Sequence, residues 1–375
     1  MPQLPDPGED ALAHSRRLLA LIRKTIMDAG GWIPFADYMR LALYAPGLGY
    51  YSAGASKFGA SGDFVTAPEI SSLFGKTLAR LVKAWLDTNP DTDVLELGAG
   101  SGKLAFDLLS ELEIKPKTYF ILEVSADLRK RQEEKLKGLP VVWLDSLPEH
   151  FEGLILGNEV LDAVPCDLVR WEKDSIFERG VCIDEEKLSW EYKAMTSGPL
   201  HDAAKAIHVP AGYVSEIQLQ ARSLVSQLSA ILKRGMLLFF DYGFGRGEYY
   251  HPDRNRGTLM CHYRHHAHDD PFFLPGLQDI TTHVDFTAIA EAAIDSGMEF
   301  VGYTNQAHFL INCGITEILG RVSPTDAASY LPLSSELQKL VSPAEMGELF
   351  KVIAFSRQCT PVSSCFSLGD KSRLL

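Results

Sequence analysis

Residues 93–102 read DVLELGAGSG. An apolar run is followed at once by three glycines at alternate positions, Gly98, Gly100 and Gly102. The run reads as a short buried strand, and the glycines as a turn whose backbone comes close to a ligand. Two common nucleotide turns do not fit. A phosphate-cradling P-loop needs GxxxxGK followed by Ser or Thr. Here Gly102-Lys103 is followed by Leu104, and Leu97 stands where the first glycine belongs. A dinucleotide turn needs GxGxxG. Gly98 and Gly100 satisfy it, but Lys103 occupies the third place. What remains is E-x-G-x-G-x-G, from Glu96 to Gly102. Such a turn exposes backbone N–H groups to a ligand that brings no diphosphate.

Outward from this turn, the chain alternates between strand and helix. GKLAFDLLSEL reads as a helix, TYFILEVS as a second strand and ADLRKRQEEKLKG as a charged surface helix. VVWLDS, LILGNEV and RGMLLFFDYGF follow as the third, fourth and fifth strands. Strands separated by helices imply an α/β fold with a doubly wound, mostly parallel, Rossmann-like sheet. Its ligand crevice opens where strand order reverses, between the first strand and the fourth. Residues 1–90 form a helical N-terminal region and lid, with an amphipathic helix over 10–30, another from about Pro34 to Leu43 and a third over roughly 70–87. Residues 91–360 are the main domain, with insertions at about 166–212 and 305–345; residues 361–375 read as a loose tail. Within these, 166–200 reads as an antiparallel insertion, 213–233 as a helix and 245–282 as a long histidine-, glycine- and proline-rich loop. EFVGYTN and LFKVIAFSRQ read as the last two strands.

Composition narrows the class. The chain has 375 residues, 36 basic and 49 acidic, for a formal net charge of −13. That balance disfavours nucleic acid as a partner. Six scattered cysteines form no CxxC pair, so reduced thiols are expected and no zinc knuckle. No apolar run approaches the roughly 18 residues that cross a bilayer, so no membrane insertion is expected. The opening MPQLPDPGED lacks the features of a signal or transit peptide. A bacterial cytoplasmic protein is the expectation; the sequence assigns no oligomeric state.

The E-x-G-x-G-x-G turn resembles the first motif of class I S-adenosylmethionine (SAM) methyltransferases. YMRLALYAPGLGYYS (38–52), GDFVTAPEISSLFG (62–75), LELGAGSGKLAFDLL (95–109), LGNEVLDAVP (156–165), FFDYGF (239–244) and DITTHVDF (279–286) stand in one order. Together they resemble the MidA family of SAM-dependent methyltransferases, over about residues 16–357. Its mitochondrial members are complex I assembly factors that methylate an arginine of a respiratory-chain subunit. The resemblance implies a class I methyltransferase fold, SAM as cofactor and a protein substrate, a complex I-type subunit. A small-molecule acceptor, or a SAM-binding assembly factor without turnover, are the alternatives.

Residue by residue, Glu96, Gly98, Gly100 and Gly102 are expected at the cofactor. Glu123, closing TYFILE, accepts hydrogen bonds from a ribose diol. Asp145, closing VVWLDS, is expected near adenine. Asp63, Thr66 and Glu69 surround the Pro68 turn, where the resemblance implies contact with the cofactor's amino-acid end or a lid. Asn158, Glu159 and Asp162 follow the fourth strand and are the catalytic candidates. Glu159 and Asp162 lie three apart, so a helical start there places both on one side. Glu159 is assigned as guanidinium clamp and base, Asp162 as its support, and Asn158 as a neutral donor and acceptor. Tyr51, Phe64 and His283 are expected to line the acceptor channel. CHYRHHAHDD (261–270) reads as a polar loop rather than a metal site. Asp285 either lines the channel or caps the helix FTAIAEAAI.

Overall fold

Residues 4–53 and 66–375 are described by the structure, a computed structural model. The central sheet runs in the order Glu299–Asn305, Phe350–Arg357, Leu232–Phe244, Phe151–Asn158, Asp93–Leu97, Tyr119–Leu122, Val141–Leu144. The last five are mutually parallel; Phe350–Arg357 runs antiparallel to both its neighbours. From Asp93–Leu97 the chain builds outward through two strands, then returns to the other side with Phe151–Asn158. The reversal therefore lies between those two strands, as the alternation of elements predicts.

Both faces of this sheet's central strands are covered, which is why those strands read as largely apolar runs rather than alternating. On one face Leu78 and Trp85, from the helix Ser72–Thr88, and Leu104 and Leu108, from Lys103–Glu111, pack on Val94, Leu154 and Leu238. On the other, the helices Leu219–Ile231 and Phe286–Asp295 cover Leu95, Ile155 and Phe239. Four helices between Gln306 and Leu349 fill the second expected insertion.

A separate antiparallel sheet is formed by Trp32–Pro34, Asp167–Trp171, Ile176–Asp184, Lys187–Met195 and Tyr213–Ile217. The helices Glu9–Asp28 and Phe35–Tyr44 pack against it through Leu18, Ile22, Phe35 and Met39. No described helix is long and apolar enough to cross a membrane.

Four expectations are corrected. Residues 213–217 are a strand, and the helix begins only at Leu219. In YVSEI every residue but Val214 is buried, and the strand pairs with Asp167–Trp171. The segment 245–282 is no open loop: Met260–Tyr263, His266–His268 and Asp279–Thr281 form a three-stranded sheet. The histidine-rich stretch is its hairpin. Arg264 and His265 take positive φ (47° and 63°) at the turn, the left-handed pair that suits the twist of a tight hairpin. Finally, the tail is docked. Val362, Cys365 and Phe366 are buried, and Cys365 is disulfide-paired with Cys313, their Cα atoms 5.2 Å apart. That pair departs from the reduced thiols expected of all six cysteines; the other four are free thiols.

Candidate functional site

At the strand reversal lies a cavity of about 700 Å³. Its wall includes the glycine turn, the ends of the first, second and fourth parallel strands, and residues from the N-terminal helices and the histidine-bearing sheet.

The turn itself is left-handed at all three glycines, with φ of 60°, 55° and 75° at Gly98, Gly100 and Gly102. A side chain at such a position costs about 1–2 kcal/mol. Gln132 pins the turn from outside. Buried on the helix Ala126–Lys135, it donates from Nε2 to the Gly100 carbonyl and to Glu123 Oε2, both at 2.9 Å. Its Oε1 accepts from Trp143 Nε1 at 2.9 Å. Glu123 Oε1 in turn accepts from the Ser125 N–H at 2.9 Å. The carboxylate expected to meet a ribose is thus fixed beside the glycines and lines the cavity. Glu96 is buried beneath the turn and accepts from the Tyr119 hydroxyl at 2.7 Å. Burial pushes its carboxyl up to about 7 against that hydrogen bond.

Thr66 and Glu69 also line the cavity, and Ser101 donates its hydroxyl to Glu69. Asp63 and Phe64 lie outside the described residues. Asp145 is not in the cavity wall: its side chain is 89% exposed and pairs with Arg129. It closes a strand at the sheet's edge, where an acid turned to solvent finds the surface arginine one helix away.

Asn158, Glu159 and Asp162 do meet at the cavity, though not on a helix. The chain leaves the fourth strand in an irregular turn, with Glu159 at φ 52°, a conformation uncommon for a non-glycine residue. The buried side chain of Asp241 holds that turn. Its Oδ2 accepts from three successive N–H groups, Val160 (3.1 Å), Leu161 (2.8 Å) and Asp162 (3.3 Å), while Oδ1 accepts from Tyr242 N–H at 3.0 Å. The Glu159 N–H donates to the Phe240 carbonyl at 2.8 Å.

Glu159 Oε1 accepts from the Ala67 N–H at 3.3 Å and from Asn158 Nδ2 at 3.2 Å. Burial, then the neighbouring Asp162 carboxyl, push Glu159 up to about 8. Asp162 is also raised by burial, against a hydrogen bond from Tyr242. Among the described residues, no lysine or arginine pairs with either acid. Asn158 Oδ1 and His283 Nδ1 are buried without a hydrogen-bond partner, and both residues line the cavity. Buried polar atoms usually find a partner in protein, ordered water or a ligand.

The remaining wall is aromatic. Tyr51 stacks on Tyr44, centroids 5.4 Å apart, and donates to Asp279 Oδ1 at 2.9 Å. His283 sits edge-on to Tyr242 and Phe244. Burial, with Arg254 and Lys351 nearby, lowers it to about 4, so it is neutral at pH 7. Asp285 is settled as a cap: it accepts from the Thr287 and Ala288 N–H groups at the start of Phe286–Asp295. Among the described residues, no three His, Cys, Asp or Glu side chains gather to hold a metal.

Sequence reasoning did not single out Gln132, Asp241, Tyr44 or Asp279. Two carried a signal. Asp241 is an acid inside the apolar run LLFFDYGF, and Gln132 stands four residues after Leu128 on an otherwise charged helix, the pair being its buried residues.

A family model described as "Putative S-adenosyl-L-methionine-dependent methyltransferase" matches residues 73–304. A crystal structure of a Burkholderia thailandensis protein bound to S-adenosyl-homocysteine superposes with a TM-score of 0.96, at 49% identity, covering 100% of both chains. Among curated proteins, "Protein arginine methyltransferase NDUFAF7, mitochondrial" of Danio rerio is 29% identical over 366 residues, covering 86% of this chain and 83% of that protein. The homologue of that name from Drosophila melanogaster is 27% identical over 404 residues, covering 94% and 89%. The chain belongs to this family of SAM-dependent methyltransferases.

Proposed function

We propose that this methyltransferase modifies an arginine side chain of a protein, with the donor lodged against the glycine turn and the guanidinium against Glu159. The observation that carries the reading is the pair of acids after the fourth strand. Glu159 and Asp162 face the cavity and pair with no described lysine or arginine; the lysine in the cavity wall, Lys103, is held by Asp107. A guanidinium, cationic at any ordinary pH, supplies the missing charge. The curated relatives' names support the same acceptor.

The residues at the turn suit SAM. The left-handed glycines bring their backbone to the cavity wall, and Glu123 is already oriented by Gln132 and Ser125 to accept from two hydroxyls. Glu69 and Thr66 stand on the same wall for the cofactor's amino-acid end. SAM supplies a methyl group already activated by its sulfonium, so the protein's task is alignment and exclusion of water. Glu159 accepts guanidinium N–H groups and draws the positive charge to one side. A carboxyl raised towards neutrality is a better proton acceptor than an ordinary one, and Glu159 holds the proton that the guanidinium gives up. Asp162, tied to Tyr242, supports it, and the orphaned Asn158 Oδ1 offers a further acceptor. The acceptor protein is assigned to the class of complex I-type subunits, in a bacterial cytoplasm.

The test is transfer of labelled methyl from SAM to cellular proteins, followed by mass spectrometry of the labelled residue. Label on arginine is expected, falling about 10²–10⁴-fold in Glu159→Gln, as for loss of a general base. Label on another residue type, or an undiminished rate in that variant, overturns the reading.

A further inference from the structure

We infer that the acceptor arginine is recognised together with apolar neighbours in its own chain, which rest on an apolar rim at the cavity mouth. This rests on the arginine reading above and extends it to the residues on either side.

The cavity is acidic inside and greasy at its opening. Glu96, Asp162 and Asp279 are buried in its wall. Met260 and Leu349 line the same cavity, yet are 39% and 37% exposed. They come from different parts of the chain: Met260 from the histidine-bearing sheet, Leu349 from the short helix Met346–Leu349, whose Met346 also lines the cavity. Single exposed apolar side chains are unremarkable. Two that line one cavity from separate elements, beside the acids it holds, offer an apolar partner contact at the opening.

Geometry then dictates what meets them. An arginine reaches inward with its guanidinium foremost, so its main chain stays at the mouth. The residues before and after it lie over the rim. Methionine is flexible and adapts to varied aliphatic partners, so the rim selects apolar character more than one exact side chain. Acidic neighbours are disfavoured twice, by loss of apolar contact and by Glu345, an exposed acid on the same lining. The occupant is an extended protein segment carrying Val, Leu, Ile or Met around the arginine, not a glycine-rich or charged one.

The experiment uses the full chain with SAM and four seven-residue peptides. Each has a central arginine, flanked on both sides by Leu/Val, by Gly, by Lys or by Glu. The Leu/Val peptide is expected to show kcat/KM at least about tenfold above the Gly peptide, with the Glu peptide lowest. The double variant M260S/L349S is expected to raise KM for the Leu/Val peptide about tenfold, with the change falling on KM rather than kcat, and to leave the affinity for SAM alone. Equal rates on Leu/Val and Gly peptides, faster methylation of the Lys peptide, or an unmoved KM in the double variant overturns this inference while the arginine reading stands. Methylation of lysine or of a small molecule, in place of every arginine peptide, overturns both.

Discussion

At the scale of one side chain, the proposed role of Glu159 links charge state to binding. Its carboxyl is raised to about 8, so near pH 7 most copies of the free protein hold a proton there. A guanidinium binds the ionised form. With acceptor below saturation, kcat/KM should therefore climb as pH rises through about 8, then level off, and Glu159→Gln should lose that limb. A profile flat from pH 6 to 9 would remove Glu159 from acceptor binding. The sign for folding is opposite. A carboxyl raised in the folded state contributes stability that is complete below its ordinary value near 4.5 and is lost as pH rises to about 8. Removal of this group in Glu159→Gln should flatten the decline in melting temperature over that window. Glu159 was nameable from sequence because it follows the fourth strand at a reversal of strand order. Why it points into the cavity was not. The turn is set by Asp241, on a strand far along the chain, and no local helical spacing encodes that contact.

At the scale of elements, the glycine turn is the part whose sequence and shape agree most closely. Gly102 has φ 75°, and a Cβ there would sit 3.3 Å from Gln132 Cγ. Gly102→Ala should therefore cost about 1–2 kcal/mol of stability from backbone strain alone. By crowding Gln132 it should also disturb Glu123 and weaken SAM binding. Thermal unfolding and calorimetry on the same variant check both halves; wild-type values in both would mean the turn tolerates a side chain. The parallel strands were legible because each is a largely apolar run, and three of the five stand between helices. The hairpin Met260–His268 was not, because its turn carries Arg264 and His265 where glycine or asparagine would announce it. Tyr213–Ile217 was absorbed into the following helix because five residues are too few to show a period against an adjoining helical pattern.

For the whole molecule, the tail is the clearest surprise. Val362, Cys365 and Phe366 are buried in the same core as the helices Gln306–Asn312 and Ser72–Thr88. Lys371 pairs with Glu348, which sits on the short helix at the cavity mouth. Burying three such side chains contributes about 1.5–3 kcal/mol each for the larger ones. Deletion of residues 361–375 should lower the melting temperature by several degrees, and an unchanged melting curve would show the tail to be dispensable. Its small, polar-rich sequence gave no periodic signal, so its docking depends on a surface that forms only once the sheet and inserted helices are assembled. The parallel sheet and the position of the crevice were readable from the chain alone; contacts between distant segments were not.

The claim on which the rest depends is that SAM lies against the Gly98–Gly102 turn with its sugar held by Glu123. Equilibrium binding of SAM to the wild type and to Glu123→Ala tests it most directly. Saturable binding to the wild type is expected, with a loss of about 10- to 150-fold in the variant, the equivalent of one charge-assisted hydrogen bond of about 1.5–3 kcal/mol. Equal affinity in the two proteins would contradict it.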